Sequence, residues 1–580
     1  MNIVNDDEIF EGEAAIGVPT LADEYARKAP GHQDSNGTTA RRSKHNRGRW
    51  HRRRCHLPRP FLDRPFDGRR TAMLKFAITS NTPGQTWTRH GASWRADRSS
   101  ITPFLHPALD SSWGSDAYGE GISVRERRPH GDHLELRLIR DGSVQLRAGN
   151  GGVAPLYVAA DDDRLIGSWD LTDLVGRIGG ELSPVVVARL LTRRHRYSHD
   201  TVFPAITRLT AGTHAVWRPG SGLSLRYPDP AHHVLRPRTL RAGADPIAGF
   251  TALLDHALAG VVSGPEEIVA VEMSGGLDSA NIAVSAIHHG ALVAGGIDVY
   301  GRTGRAQRQR RSLISAHLRL PIETVSAVEH LPLDPDGSRV PSRPHQPDGD
   351  VYQEAFDALR ARLSRAGART VLTGYGGDEI MSRTSAERGV STTPPPLPPW
   401  LTDRARAALA DVDAGCSPVT AVALPTLLVF AARHPAYLRA GLWPIAPYTD
   451  PRVSRFARSL PVDRRTGKEL LRQRLTRIGF PRAVTHPDQR ESFADTMHLA
   501  LRRHAVTLLS GMLDQSPLIE HDLVRRDKVE QLWCHVRQQR PLPPLVFDML
   551  ALDIAIRSMT ATTTATPSIE EPCVPSPQRA

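Results

Sequence analysis

The feature that most constrains this chain is a strand-like run that breaks into a glycine loop and restarts as a helix. Ile268-Val269-Ala270-Val271-Glu272-Met273 is rich in β-branched residues, Ser274-Gly275-Gly276-Leu277-Asp278-Ser279 follows at once, and Asn281–Ile287 reads as helix. A loop in this setting gathers backbone N–H groups and the positive end of a helix dipole at one point, which is an anion site. Gly275 and Gly276 let the backbone approach a phosphate closely. Ser274 and Ser279 can donate hydroxyl hydrogen bonds, and Asp278 can hold the Mg²⁺ that neutralises the phosphates. No Gly-Lys-Ser/Thr follows, which excludes a Walker A loop. Strand, glycine loop and helix together open a doubly wound α/β sheet.

The alternation continues downstream. The pattern predicts a strand over Ala291–Tyr300, helices over about Ala306–Leu318 and Tyr352–Arg365, and a strand over Thr370–Thr373. Thr393-Pro394-Pro395-Pro396-Leu397-Pro398-Pro399 forbids regular structure; a mostly helical C-terminal region is expected after it. Upstream, residues 73–230 carry short alternating segments such as Leu134-Glu135-Leu136-Arg137-Leu138-Ile139, separated by Gly and Asp turns, the pattern of an antiparallel β-rich domain. A Pro/Arg/His-rich connector, Pro228 to Arg241, leads to a helix with Ile247, Phe250, Leu254 and Leu258 on one face. The expected fold is thus α+β followed by α/β. At 580 residues the chain is too long for one core. The expected divisions are a disordered basic extension over 1–72, domains over 73–230 and 242–559, and a disordered tail over 560–580, with Met73 a candidate natural start.

The net charge of +12 invites a polyanionic partner. Much of the excess lies in Arg41–Arg54, a low-complexity run that reads as solvated disorder, so no nucleic-acid partner is expected. Cys55, Cys416, Cys534 and Cys573 show none of the close pairs used by zinc sites and read as reduced thiols. No apolar run approaches the roughly 20 residues of a membrane span, and Met1–Glu8 is acidic where a secretory signal would be basic. The expectation is a cytoplasmic enzyme without a membrane partner.

Ser274–Ser279 resembles the Ser-Gly-Gly-x-Asp-Ser loop of the N-type ATP pyrophosphatases, which attack the α-phosphate of ATP and release pyrophosphate. Leu372-Thr373-Gly374-Tyr375-Gly376-Gly377-Asp378-Glu379 resembles the Ser-Gly-Glu-Gly-Ser-Asp-Glu block of the asparagine synthetases within that group. The resemblance implies ATP and Mg²⁺ as cofactors. It places Gly374 and Gly376 with the nucleotide loop, and makes Asp378 a second magnesium ligand beside Asp278. Pro487–Asp495 is similar to the family's Arg-Gln-Lys-Glu-Gln-Phe-Ser-Asp, with Arg490 where a lysine stabilises charge on the departing pyrophosphate. A guanidinium can supply that electrostatic part; Lys468 is a rival for the role. Trp443–Pro451 and His345-Gln346-Pro347 match two further family stretches without their expected polar residues.

Tyr375 is the informative departure, since asparagine synthetases carry glutamate there. The substitution resembles the ring-closing members, the β-lactam synthetases and lasso-peptide cyclases. In the former a tyrosine works with a carboxylate as the base that deprotonates the attacking amine. A phenol near its ordinary pKa of about 10 needs a charged partner for that task; a pocket wall is the other reading of Tyr375.

Leu146–Tyr157, Thr201–Ile206 and Leu209–Gly212 are similar to motifs of the glutaminase domain that precedes the synthetase domain, an Ntn-type fold, yet no cysteine nucleophile is available. The resemblance, spanning about Met73 to Met559, then implies an enzyme that takes its amine from its own substrate. Leu542–Leu552 and the Gly-Gly-Asp-Glu ending favour a lasso-peptide cyclase, forming a macrolactam on a leader-cleaved peptide, with a leader peptidase and a precursor-recognition protein as partners. Leu333–Asp350 and Ser382–Trp400 are candidates for enclosing that peptide and keeping water from the adenylate. Gly17 with Asp23 and Glu24 has the spacing of a lasso core's ring, which random spacing explains better. The alternatives are a β-lactam synthetase, an asparagine synthetase homologue, an RNA-modifying ATP pyrophosphatase and an inactive nucleotide-binding protein.

Overall fold

A computed structural model describes residues 74–80, 86–128, 131–229, 238–261, 267–382, 396–489 and 491–565. The extension over 1–72 with Met73, Cys55 and Cys573, Arg490, and most of the Ser382–Trp400 stretch lie outside them.

The N-terminal half is built from antiparallel strands: β1 (Lys75–Thr79), β2 (Thr88–His90), β3 (Ser93–Ala96), β4 (Ser99–Thr102), β5 (Leu109–Ser115), β6 (Gly119–Glu126), β7 (His133–Ile139), β8 (Val144–Arg147), β9 (Leu156–Ala160), β10 (Arg164–Ser168), β11 (Thr207–Leu209), β12 (His214–Arg218) and β13 (Gly222–Arg226). They form two sheets, ordered β11-β9-β10-β1-β4-β3-β2 and β13-β12-β8-β7-β6-β5. The predicted alternation holds in β7, where Leu134 and Leu136 are buried and their neighbours are less so. Phe76, Ile78 and Ile101 of the first sheet share one core with Leu136, Leu146 and Trp217 of the second. The short helix Pro184–Leu191, capped by Ser183, is the main helical interruption.

The second half holds a parallel sheet of β14 (Ile268–Glu272), β15 (Ala291–Asp298), β16 (Ile322–Ser326), β17 (Ala368–Leu372) and β18 (Trp443–Ile445), ordered β16-β15-β14-β17-β18. Residues Val269–Glu272 of β14 are all buried, which is why that strand reads as an unbroken apolar run. The strand order reverses between β14 and β17, the topological switch point at which open parallel sheets bind ligands. Mostly helical structure follows β18, as predicted, and the last helix runs Leu545–Ala565, past the expected limit at Met559.

One predicted element differs in extent, and one strand was not predicted. The helix expected from Ala306 begins at Gly301, because the face it buries is carried by Gly304, Gln307, Arg310 and Arg311, with Ile314 alone apolar, and so shows no apolar period at its start. β16 was not anticipated; only Val325 in it is buried, too little for a pattern. Among the described residues no helix is long and apolar enough to cross a membrane.

The halves are joined through buried polar contacts. Trp443 Nε1 donates to Glu126 Oε1 at 2.7 Å, Arg208 pairs with Asp348 at 2.9 Å and Arg193 with Asp548 at 2.8 Å. His106 also crosses the boundary. Its Nε2–H donates to the Arg369 carbonyl of β17 at 3.0 Å while Nδ1 accepts from Ala108 N at 3.0 Å, so its neutral form uses both ring nitrogens. Burial pushes this imidazole down from 6.5 to about 4. A depressed histidine contributes stability that is complete above its unfolded value of 6.5 and is lost as pH falls towards its folded value of about 4. Urea unfolding should therefore show His106 costing about 2 kcal/mol at pH 5 relative to pH 8, with the loss reduced in His106→Asn. An identical pH slope in that variant would contradict the assignment.

Candidate functional site at the switch point

The Ser274 loop leaves the carboxyl end of β14, and the helix Leu277–Ala286 starts directly from it with Gly276 at its N-cap. Gly275 sits at φ +100°, and a Cβ there would lie 2.9 Å from the Gln307 carbonyl oxygen. Only glycine fits on both counts. Ser274 Oγ accepts from Gly276 N at 3.0 Å and donates to Glu491 Oε1 at 2.9 Å; Ser279 Oγ lies 3.2 Å from Ser274 Oγ. Arg310 donates to the carbonyls of Gly275 at 3.2 Å and Gln489 at 3.0 Å. Residues on both sides of Arg490 are thus anchored on the loop.

The second glycine segment leaves the carboxyl end of the neighbouring strand β17 and begins the short helix Gly377–Met381, with Gly376 at φ +88°. A Cβ on Gly374 would lie 3.1 Å from Ser279 N, and one on Gly377 only 2.5 Å from Asp278 Oδ1. These glycines are what allow the two segments to touch. The consequence is that Asp278 and Asp378 meet. Lys468 lies between them, donating to Asp278 Oδ2 at 2.6 Å and pairing with Asp378 Oδ1. It reaches this point from a left-handed backbone at φ 59°. Burial alone would lower the ammonium's pKa; the two carboxylates outweigh it and hold the group well above its usual range. Glu379 is pushed up to about 7, by burial and then by Asp378.

Tyr375 points to the other side of the segment. It is buried among Leu427, Phe430 and Ala446, and its charged partners are now visible. Arg433 donates to the Tyr375 hydroxyl at 2.9 Å, and that hydroxyl faces Glu272 Oε2 at 3.4 Å. Tyr437 donates to the other oxygen of Glu272. Arg433 also bonds Asp350 at 3.2 Å. Burial pushes the Tyr375 phenol above its usual range and Glu272 adds to this, with Arg433 opposing. Tyr375 is therefore held protonated in the unliganded chain.

The structure brings Ser274, Gly275, Gly276, Leu277, Asp278, Ser279, Gly374, Gly376, Asp378 and Lys468 to one place; Arg490 is outside the described residues. Sequence reading missed Glu272, Arg433, Asp350 and Glu491. Glu272 carried a signal, as the one acid in an apolar strand, and a buried acid requires partners. Arg433, in an apolar helical stretch, carried a similar one. No protein-family model and no curated protein matches the chain. Among the described residues no group of three or more His, Cys, Asp or Glu is placed to hold a metal ion.

Replacing Lys468 by Met leaves two carboxylates facing each other across a partly buried gap. The expected result is a loss on the order of 2 kcal/mol in urea unfolding at neutral pH, partly restored by MgCl₂ in the variant and much less affected by it in the wild type. A variant as stable as wild type, and indifferent to magnesium, would contradict this reading of Lys468.

Proposed function

We propose that this chain is an ATP-dependent amide-forming enzyme of the asparagine-synthetase type, closing a macrolactam on a leader-cleaved peptide through an acyl-adenylate. In this reading the parallel sheet is an ATP-pyrophosphatase fold and the N-terminal sheets are a glutaminase-like domain without its nucleophile. The observation that carries it is the convergence of two glycine segments, from the two strands flanking the switch point, with two carboxylates around a single cation.

A site that already holds one cation between two carboxylates fits Mg²⁺, which takes one or two carboxylates and completes its shell with phosphate oxygens. Asp278 and Asp378 would hold it, and it would supply neutralisation of the phosphate charge. The remaining work falls to the chain. The backbone N–H groups of the Ser274 loop, with the hydroxyls of Ser274 and Ser279, bind the phosphates. A substrate carboxylate oxygen attacks the α-phosphorus and pyrophosphate leaves, its charge met by Lys468 and Arg490. An amine of the same substrate then attacks the acyl carbon, AMP departs, and the amine's proton passes to the Glu272 carboxylate, with Tyr375 as the phenol of the pair.

Incubation of the purified protein with ATP, Mg²⁺ and the leader-cleaved peptide encoded beside its gene should yield a peptide lighter by one water together with AMP. Asp278→Ala should abolish both products. AMP formed only with a small β-amino acid would instead establish the β-lactam alternative, and no AMP with either substrate would overturn the adenylation reading. Tyr375→Phe separates the half-reactions: ATP–pyrophosphate exchange should persist while amide formation slows by about a hundredfold. Equal loss of both would show Tyr375 to be a wall of the site.

A further inference from the structure

A cavity of about 150 Å³ lies between the two halves, bounded by Tyr157 and Arg189 of the N-terminal half, the segment His345–Val351, Arg433, and Phe547 and Ala551 of the last helix. All but the last residue of this segment belongs to the Leu333–Asp350 stretch expected to enclose the substrate. It has neither helix nor strand, yet it and the residues before it are pinned: Leu333 N donates to Glu354 Oε1 at 3.1 Å, Arg339 pairs with Glu354 at 2.7 Å, and His345 N donates to Ser558 Oγ at 3.2 Å.

Its polar groups are unevenly satisfied. Gln346 Nε2 donates to Tyr157 Oη at 2.7 Å and to the Ala431 carbonyl at 2.9 Å, which fixes the amide and leaves Oε1 without a donor. His345 Nδ1–H donates to the Arg343 carbonyl at 3.1 Å, leaving Nε2 as a bare acceptor. Burial holds this ring near 4, hence neutral. Asp350 Oδ1 is taken by Arg433 and by Tyr352 N, while Oδ2 has no partner. All three residues are at least nine-tenths buried. Three unsatisfied acceptors within six residues are costly in an interior and are met most fully by a ligand with several N–H donors. Five arginines also line the cavity, but each already holds an acceptor: Arg189 the Ala414 carbonyl, Arg196 Asp413, Arg208 Asp348, Arg339 Glu354 and Arg433 Asp350 Oδ1. The open Oδ2 of Asp350 is therefore where an ammonium of the ligand fits, and Val351, Leu428, Phe547 and Leu552 supply an apolar wall beside it. Arg433 links this cavity to the switch point, since it bonds Asp350 on one side and Tyr375 on the other.

We propose that this inter-half cavity is the binding site for the nucleophilic amine: a primary ammonium attached to an apolar group, held by Asp350, Gln346 and His345 and presented towards Tyr375. The proposal rests on the amide-forming reading and names the amine side of that substrate. It makes the recognition of the amine independent of ATP.

Calorimetry on the full chain without ATP tests it, with leucinamide as the probe and N-acetyl-leucinamide as its uncharged counterpart. Saturable leucinamide binding is expected, with the acetylated compound about tenfold or more weaker. Ala551→Phe, which fills the cavity from the last helix, should remove binding while unfolding stays cooperative. Asp350→Asn should weaken it comparably; because that change also touches the Arg433 pair, Ala551→Phe keeps the test decisive if the former fails to fold. No leucinamide binding to wild type, equal binding of the acetylated compound, or full binding to folded Ala551→Phe would each overturn the proposal. A silent ATP–pyrophosphate exchange would instead overturn the adenylation reading, and the calorimetric result would still stand.

Discussion

Two carboxylates carried to the ends of adjacent parallel strands repel each other strongly unless a cation lies between them, and the site at the switch point is organised around that constraint. Asp278 begins a helix and Asp378 begins another, so neither can retreat without unwinding a first turn. Lys468 enters from a third element and satisfies both. The surrounding residues follow from this contact. Gly374 and Gly377 lack side chains because the Asp278 segment passes directly over them. Tyr448, which donates to the Asp278 carbonyl at 2.9 Å, fixes the opposite side of the same residue. A cation held this way is also replaceable by one with higher charge.

A second charged chain runs away from the first. Glu272 ends β14 in an environment closed to water, where an unpaired carboxylate would be very costly. The phenols of Tyr375 and Tyr437 surround it, Arg433 bonds Tyr375, and Asp350 balances Arg433. Every member is buried, so loss of any one leaves a charge or hydroxyl without a partner. The chain also has a direction: it begins beside the Ser274 loop and ends in the cavity between the halves.

The glycine loop and the Gly374–Glu379 block were legible in the sequence because local chemistry dictates them: close backbone approach demands glycine wherever it occurs in the fold. The antiparallel half was legible from alternation, as in Leu134 and Leu136. Strand order was not, since nothing in the residues of β18 announces that it pairs with β17. Helix Gly301–Leu318 was predicted with too late a start and strand β16 was missed, because their buried positions are mostly polar or few. Arg433 illustrates a deeper limit. Its partners Asp350 and Tyr375 are 83 and 58 residues away in sequence, so its role exists only once three segments have been packed together.

The same packing shows what the N-terminal half contributes to the fold of the other half. Its two sheets bury a core of their own, but that core continues into Val269, Leu277 and Trp443 of the other half. A second continuous cluster joins Val187 and Phe203 to Phe356, Tyr437 and Phe547. Glu126 accepts from Trp443, Tyr157 holds Gln346, and Arg208 holds Asp348. Without the N-terminal half, Trp443 would lose its acceptor Glu126, Gln346 and Asp348 would each lose a partner, and the cavity would lose one of its walls. The shape of the C-terminal half at this cavity therefore depends on the N-terminal half.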